Sequence, residues 1–388
     1  MQDNRDIDSL KQQVQDIMDE KQPTVLQDNN FGAKKNQKVR KKKNKFLKAV
    51  IFILVGLLLI ILLMIGTKTG RKVIYKFASD FIYRNMNNED IIKDYQSSTE
   101  GEDDQNSSGG IRRHEDYVTN YLIFGIEEFG GAENTDSMMI ASINTKDNTI
   151  KLTSLLRDSY VEIPGHNPNK LNAAFSRGGA KSLVDTIELN YKVQIDGYAS
   201  VNFKSFEKIV DKLGGISIEL GKEEVKYLNS TNYISKKENR NLKVGVNHLN
   251  GNQVVGYCRV RKVKTLGGAN NDYGRIVRQQ RALKAIFDSY KSKSVFKLIG
   301  ITKDCLSYVT TNLSESQIEK AIADVVENKI KTLDTFRVPV DGAFDAPREY
   351  KGVGDPLVLD WKVNRIELYK YIFLDTEKEA IAALATKE

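Results

Sequence analysis

Five arginines stand at short spacings inside otherwise apolar segments: Arg157 in KLTSLLRDS, Arg259 and Arg261 in YCRVR, and Arg275 and Arg278 in DYGRIVRQQ. On an extended strand Arg259 and Arg261, two positions apart, project from one face, where two guanidiniums repel unless an anion lies between them. On a helix Arg275, Arg278 and Gln279 occupy i, i+3 and i+4, which puts Arg275 and Gln279 together on one face. Planar guanidinium forks suit phosphate oxygens better than a lysine ammonium does, and several together match a pyrophosphate. Each arginine taken singly reads more readily as a solvated basic residue with acidic partners; the set taken with Arg157 asks for an anionic ligand.

Pyrophosphate chemistry commonly uses a hard cation held by one or two carboxylates and phosphate oxygens. Asp136, in NTDSMM just before an apolar run, and Glu127, just after YLIFGI, are the candidate ligands. Each also has a plain reading, Asp136 as a residue of a strand-entry turn and Glu127 as a loop charge. Other enzyme signatures are missing: the chain has no GxSxG elbow, no Walker A loop and no HExxH, and its three histidines are His114, His166 and His248. Its two cysteines, Cys258 and Cys305, fall in no CxxC or metal-ligand spacing and leave both one bridge and two free thiols open.

Elements that could position these groups follow from periodicity. YVTNYLIFGI, MMIASIN and TIKLTSLL read as strands, the last two joined through TKDN as a hairpin. GGAKSLVDTIELNY has helical apolar spacing at Leu183, Val184 and Ile187; the strand GYASVNF follows, then the helix KSFEKIVDKL, closed by Gly214 and Gly215. QVVGYCRVR reads as a strand or a helix-to-strand run, YGRIVRQQRALKAIFDSYK and SESQIEKAIADVVENK as amphipathic helices, and TFRVPV as a final strand before a Gly/Pro-rich loop and a polar end. Strands alternating with helices predict an α/β sandwich, and no internal repeat divides residues 111–375 into two domains.

Location follows from the N-terminal part. Residues 49–66, AVIFILVGLLLIILLMIG, are eighteen residues without a charge, enough for a transmembrane helix and longer than the h-region of a cleaved signal peptide. Nine Lys or Arg lie in residues 34–48 and four in 67–81, which predicts a cytoplasmic N-terminus. Topology and anionic lipid account for that basic run, so no nucleic acid is expected as a partner despite the net charge of +8. Residues 1–48 form a basic cytoplasmic tail with one short amphipathic stretch around Ile7, Leu10, Val14 and Ile17. Residues 67–110 read as an extracellular stalk ending in the flexible linker QSSTEGEDDQNSSGG, and 376–388 as a C-terminal tail.

The ordered series YLIFGIE, NTDSMMIASIN, KLTSLLRDSYVEIP, KLNAAFSRGG, IDGYASVNFKSFEKIVDKLGGI, LNGNQVVGYCRVRK and DYGRIVRQQRALK resembles the LytR-CpsA-Psr family over residues 115–375. The resemblance implies an α-β-α sandwich with a central mixed sheet after a single transmembrane helix, enclosing an apolar pocket for a polyprenyl chain with the pyrophosphate at its mouth. It implies that Glu127 and Asp136 hold Mg2+ or Mn2+, and that Arg157, Arg259, Arg261, Arg275, Arg278, Gln279 and Lys170 of KLNAAF bind the phosphates. The family usually has Asp where Glu127 stands and SIPRDT where this chain has SLLRDS, and the segment VKTLGGANND after Arg261 looks longer than usual.

The function implied is a phosphotransferase of the cell membrane, its catalytic domain outside the cell, that moves a glycopolymer such as teichoic acid or capsule from polyprenyl pyrophosphate to peptidoglycan. Asp136 and Arg157 are its expected catalytic residues, with Asp136 or a carboxylate-bound water as base. Two other readings stand beside it: a membrane-bound transcriptional attenuator, for which residues 1–48 hold no helix-turn-helix-sized core, and a polyprenyl-phosphate-binding protein without catalysis. Asp136 separates the last from the enzyme, since binding alone needs the arginines but not the carboxylate.

Overall fold

A computed structural model describes residues 66–88, 112–129, 132–291, 293, 301 and 303–385. All but Gly66 of the expected span at 49–66 lies outside them, as do the N-terminal tail and the linker 96–110; among the described residues no helix is long and apolar enough to cross a membrane. Residues 71–388 form one compact unit, and of the other, 1–70, only 66–70 are described.

Helix α1 (Lys68–Asn85) leads into strand β1 (Asn87–Asn88). The long strands β2 (Val118–Phe129) and β3 (Ala132–Asn144) follow, then β4 (Thr149–Leu155), a small hairpin of β5 (Tyr160–Ile163) and β6 (His166–Lys170), and helix α2 (Ala173–Tyr191). The chain continues through β7 (Gly197–Asn202), α3 (Phe203–Leu213), β8 (Ile216–Leu220), α4 (Lys222–Ser230), β9 (Gly245–Leu249), α5 (Gly251–Arg259) and α6 (Asn271–Lys291). Strand β10 (Thr310–Thr311), α7 (Glu315–Glu327), β11 (Thr332–Val338), α8 (Trp361–Phe373) and α9 (Glu377–Ala385) complete it.

The main sheet has the order β1-β10-β7-β2-β3-β4-β11 and is mixed, as expected: β2 runs antiparallel to β3 and parallel to β7, and β11 runs parallel to β4. Period-two alternation sorts its side chains between two faces. Leu122, Phe124, Met138 and Ile140 enter a core with Leu183, Val184 and Ile187 of α2 and Ile366, Leu368, Tyr369 and Phe373 of α8. Tyr121 and Ile143 point the other way, against Ala321 and Val325 of α7. Both faces are therefore covered, which is why YLIF reads as an unbroken apolar run. A separate core beneath α3, α4, α5 and α6 gathers Val210, Leu213, Leu228, Val254, Tyr257 and Ala282.

Two boundaries differ from expectation. Residues 71–88, expected as stalk, belong to the domain: Tyr75 is buried, its hydroxyl donates to Glu327 Oε1 at 2.8 Å, and β1 extends the sheet beside β10. The C-terminal tail is also part of it, because α9 buries Ala380 against the α2–α8 core. The polar stretch after TFRVPV concealed α8, whose apolar positions run nearly all round the helix, so no single stripe marks it.

Glu188 of α2 is buried, accepts a hydrogen bond from Ile195 N at 2.8 Å and lies 2.7 Å from Arg112. Burial pushes its carboxyl up to about 7 from the ordinary 4.5. The folded protein therefore binds a proton that the unfolded chain releases, so stability is greatest below the unfolded value and falls as pH rises through about 7. At about 1.4 kcal/mol per pH unit of displacement, this amounts to roughly 3 kcal/mol. Urea titrations at pH 5 and pH 8 should show that loss in the parent chain and a flatter profile in Glu188→Gln; parallel profiles would refute the assignment.

Candidate active site

Asp136 is placed by a fault in the sheet. Gly125 pairs with Ser137 and Ile126 with Thr135, so Asp136 is the extra residue of a β-bulge between β2 and β3. A bulge re-aims the side chain it carries and ends regular pairing. Three guanidiniums from separate segments converge on it. Arg157, two residues beyond β4, donates from Nη1 to Asp136 Oδ1 at 2.6 Å. Arg275, on the first turns of α6, donates from Nη2 to the Asp136 carbonyl at 2.5 Å and lies 3.3 Å from Oδ2. Arg261 reaches Oδ2 at 3.4 Å and Asp272 Oδ1 at 3.3 Å.

Burial alone raises the Asp136 carboxyl, but Arg275, Arg157 and Arg261 together hold it below the usual carboxylate range. Burial lowers Arg275, and Arg261 and Arg157 lower it further against the pull of Asp136. Asp136 is shared by all three guanidiniums; Arg157 also meets Asp158 at 3.3 Å and Arg261 meets Asp272, so Arg275 is, among the described residues, the one of the three with no second carboxylate within ion-pair distance. Arg275 is 4% exposed, and its Nε has no hydrogen-bond partner among the described residues. A buried unpaired donor in a cluster of guanidiniums is a place for an acceptor.

Two cavities meet at Asp136 and Arg275. The first, about 410 Å³, also has Arg157, Lys170 and Gln279 in its wall. Lys170 Nζ sits 3.0 Å from Asp158, and Gln279 Oε1 accepts from Ser137 Oγ at 3.2 Å. The second, about 450 Å³, has Arg259, Arg261 and Lys262 in its wall. A third, apolar cavity of about 90 Å³ lies between the sheet and α3, α5 and α6, lined by Ile123, Val201, Phe203, Phe206, Cys258 and Leu283, and shares Ser137 and Gln279 with the first. Burial pushes the Cys258 thiol up to about 12, and both Cys258 and Cys305 are free.

The i, i+4 reading of Arg275 and Gln279 holds, and both face the first cavity. Arg259 and Arg261 do not lie on one strand: Arg259 ends α5 and stacks 5.3 Å over Phe203, while Arg261 lies two residues beyond the helix. Arg278 is also placed differently. It is fully buried, donates to Glu224 Oε1 at 2.9 Å and to the carbonyls of Val260 and Val263 at 3.1 and 2.9 Å, and lines neither cavity. Standing one residue before Gln279 on α6, it faces the packed side and pins the segment that carries Arg261. Gly274 lets α6 begin so close: a Cβ there would stand 2.8 Å from the Ala269 carbonyl and 3.0 Å from Arg278 Nη1.

A base role for Asp136 fits poorly with this geometry, because a carboxyl held low by three arginines takes up a proton weakly. Glu127 stands in register with Asn134, one pair beyond the bulge; its side chain lies outside the described residues. Asp158, Asp272, Tyr273 and Asp355 also line the first cavity, and sequence reasoning passed over them. Adjacency to Arg157 in RDS and to Arg275 in DYGR could have drawn attention to Asp158, Asp272 and Tyr273; nothing in sequence marks Asp355.

The model of the LytR_cpsA_psr family matches residues 81–358. Among curated relatives, "Regulatory protein MsrR" of Staphylococcus aureus strain Mu50 is 29% identical over 228 residues, which cover 58% of this chain and 65% of that protein. The Bacillus subtilis "Polyisoprenyl-teichoic acid--peptidoglycan teichoic acid transferase TagV" is 29% identical over 222 residues, 55% of each chain. The match thus spans less than two thirds of either relative. The crystal structure of B. subtilis TagT is similar with a TM-score of 0.51 at 25% identity, covering 68% of this chain and 95% of that one.

Proposed function

The chain belongs to the LytR_cpsA_psr family, and from that premise we propose that it is a glycopolymer–peptidoglycan phosphotransferase acting on a polyprenyl pyrophosphate donor. The observation that carries this reading is the convergence of Arg157, Arg261 and Arg275 on Asp136, beside a polar cavity that shares Ser137 and Gln279 with an apolar one. That juxtaposition suits a ligand with a hydrocarbon tail and a doubly anionic head. The similarity to TagV, a polyisoprenyl-teichoic acid--peptidoglycan teichoic acid transferase, supports the same chemistry.

In the transfer, the acceptor hydroxyl oxygen bonds to the glycan-side phosphorus and the P–O bond to the lipid phosphate breaks. The lipid phosphate leaves with the electron pair. The hydroxyl proton passes to that departing phosphate, whose second ionisation lies near pH 6 in phosphate monoesters. Arg157, Arg261 and Arg275 stabilise charge on the equatorial and leaving oxygens. Asp136 fixes their forks before substrate arrives, so little reorganisation is needed. Lys170, Arg259 and Gln279 complete the polar lining around the phosphates.

Asp136 would supply one ligand to a magnesium or manganese ion whose remaining ligands are phosphate oxygens and water, with Glu127, by its sequence position, as the second carboxylate candidate. Such an ion, when bound, neutralises pyrophosphate charge. A divalent ion without phosphate is disfavoured there by the three guanidiniums, so metal affinity should depend on pyrophosphate. Calorimetric titration of magnesium with and without added polyprenyl pyrophosphate checks this; equal affinity in both would contradict it.

Residues 49–66 anchor the protein in the cell membrane with residues 1–48 in the cytoplasm and the domain outside, where the lipid donor shares its bilayer. Protease added to intact protoplasts should digest the domain and spare the tail; digestion of the tail alone would reverse the topology. The apolar cavity holds only about three waters' volume, so a long isoprenoid must part α3 from α6. Mass spectrometry of the purified full chain should find polyprenyl phosphate, and the chain should bind added polyprenyl phosphate in an equilibrium titration. No co-purified lipid and no binding of added lipid would remove the donor from this site.

A further inference from the structure

Helix α1 begins just after the uncharged run 49–66 and leaves apolar side chains in solvent. Thr67 Oγ1 accepts a hydrogen bond from Gly70 N at 3.0 Å, which gives α1 a start of its own. One side of the helix faces the domain: Tyr75 and Ser79 are buried, and Arg71 and Tyr75 both bond to Glu327 at the end of α7. The other side is open. Phe77 is 71% exposed and Val73 41%, one turn apart, and Lys72 and Lys76, also one turn apart, stand exposed along their flank. Asp80, the one carboxylate of the helix, is held by Arg84 at 2.6 Å, so that flank presents positive charge. Single exposed apolar residues need no explanation, but an aromatic and a valine on one stripe beside lysines are the pattern of a helix lying in the plane of a lipid interface.

The place of α1 in the chain decides what covers it. A chain that leaves the hydrocarbon near residue 66 reaches Phe77 after about 16 Å of helix. The polar layer of a bilayer is only roughly 5–8 Å deep on each side of the hydrocarbon. Upright, α1 would carry Phe77 through that layer into water. Lying along it, the helix puts the phenyl ring at the acyl boundary and keeps Lys72 and Lys76 among the head groups, where lysines favour anionic lipid.

We propose that the open side of α1, through Val73, Phe77, Lys72 and Lys76, docks on the outer surface of the bilayer that holds the anchor, at anionic lipid. This rests on the anchor at 49–66 and goes beyond it, since an anchor alone leaves the domain free to tilt. Helix α7, to which α1 is bonded, covers Tyr121 of β2, and Ile123 of the apolar cavity stands two residues on, on the same face of that strand. Docking through α1 therefore holds the cavity's side of the sheet toward the bilayer.

The test uses the full chain reconstituted in vesicles of phosphatidylglycerol and phosphatidylcholine. The parent, whose one tryptophan is Trp361, sets the background for Phe77→Trp and for the control Val246→Trp, at an exposed position of β9. Lipid brominated high in its acyl chains should quench the added fluorescence of Phe77→Trp, and aqueous iodide should not; Val246→Trp should show the reverse. Adding Lys72→Gln and Lys76→Gln to Phe77→Trp should lower the docked-over-free ratio about 5-fold per lysine. Quenching of Phe77→Trp by iodide and not by bromolipid overturns the proposal. Shielding from both quenchers also overturns it and gives the face to protein, a second copy or another segment of this chain. Release of the parent from floated vesicles by alkaline carbonate would instead remove the anchor on which the proposal rests, a failure distinct from the other two.

Discussion

Asp136→Asn should cut glycan transfer by about 100-fold or more while polyprenyl pyrophosphate binding is kept or tightened. The carboxylate orders three guanidiniums from three segments, at 2.6, 3.3 and 3.4 Å. Removing its charge leaves the cations in place but loosens their aim, and loss of one preorganised electrostatic element typically costs 10²–10³ in rate. Affinity for an anion moves the other way, since less negative charge then offsets the arginines. The measurements are single-turnover transfer and equilibrium lipid binding, with a thermal melt to show that the variant is folded. Parent-like transfer by a folded variant would remove Asp136 from the chemistry and favour a lipid-binding protein; loss of both binding and fold would make Asp136 a structural turn residue.

Arg278→Ala should destabilise the protein by about 3–5 kcal/mol, far more than Arg261→Ala. Its guanidinium and the Glu224 carboxylate are both fully buried at 2.9 Å, so truncation strands a charge in the core. Two backbone carbonyls flanking Arg261 lose their donors at the same time. Arg261 is about a third exposed, so its removal should leave the melt nearly unchanged and weaken pyrophosphate binding by roughly 10- to 100-fold, the range for a charge-assisted hydrogen bond. Urea unfolding and lipid titration of the two variants read these outcomes separately. A stable Arg278→Ala with weakened lipid binding would return Arg278 to the ligand site.

These two arginines also show what the sequence could convey. Helical spacing correctly grouped Arg275 with Gln279, because i and i+4 share a face whatever the tertiary context. The same spacing says nothing about which neighbour a face meets, and Arg278, one position from Gln279, turned to Glu224, fifty-four residues away in the chain. The paired reading of Arg259 and Arg261 assumed a strand; the capping pair of Asn250 and Gln253 starts a helix that carries the chain through Arg259 instead. Alternation exposed the strands of the sheet but not the bulge at Gly125–Ile126 that singles out Asp136, since a bulge appears only when two strands are aligned. Asp355 was illegible for a related reason: it enters the cavity wall from a loop whose path depends on Tyr160 N donating to Leu357 O and Leu357 N to Asp158 O.

The central claim is most directly tested by incubating the purified full chain in micelles with a polyprenyl-pyrophosphate-linked glycan, labelled at the glycan-side phosphorus, and peptidoglycan oligosaccharide. The account predicts a phosphodiester product that retains the label, with stoichiometric release of polyprenyl monophosphate. Tight binding of the donor with no labelled product, under conditions in which the chain is folded and supplied with magnesium, would contradict it.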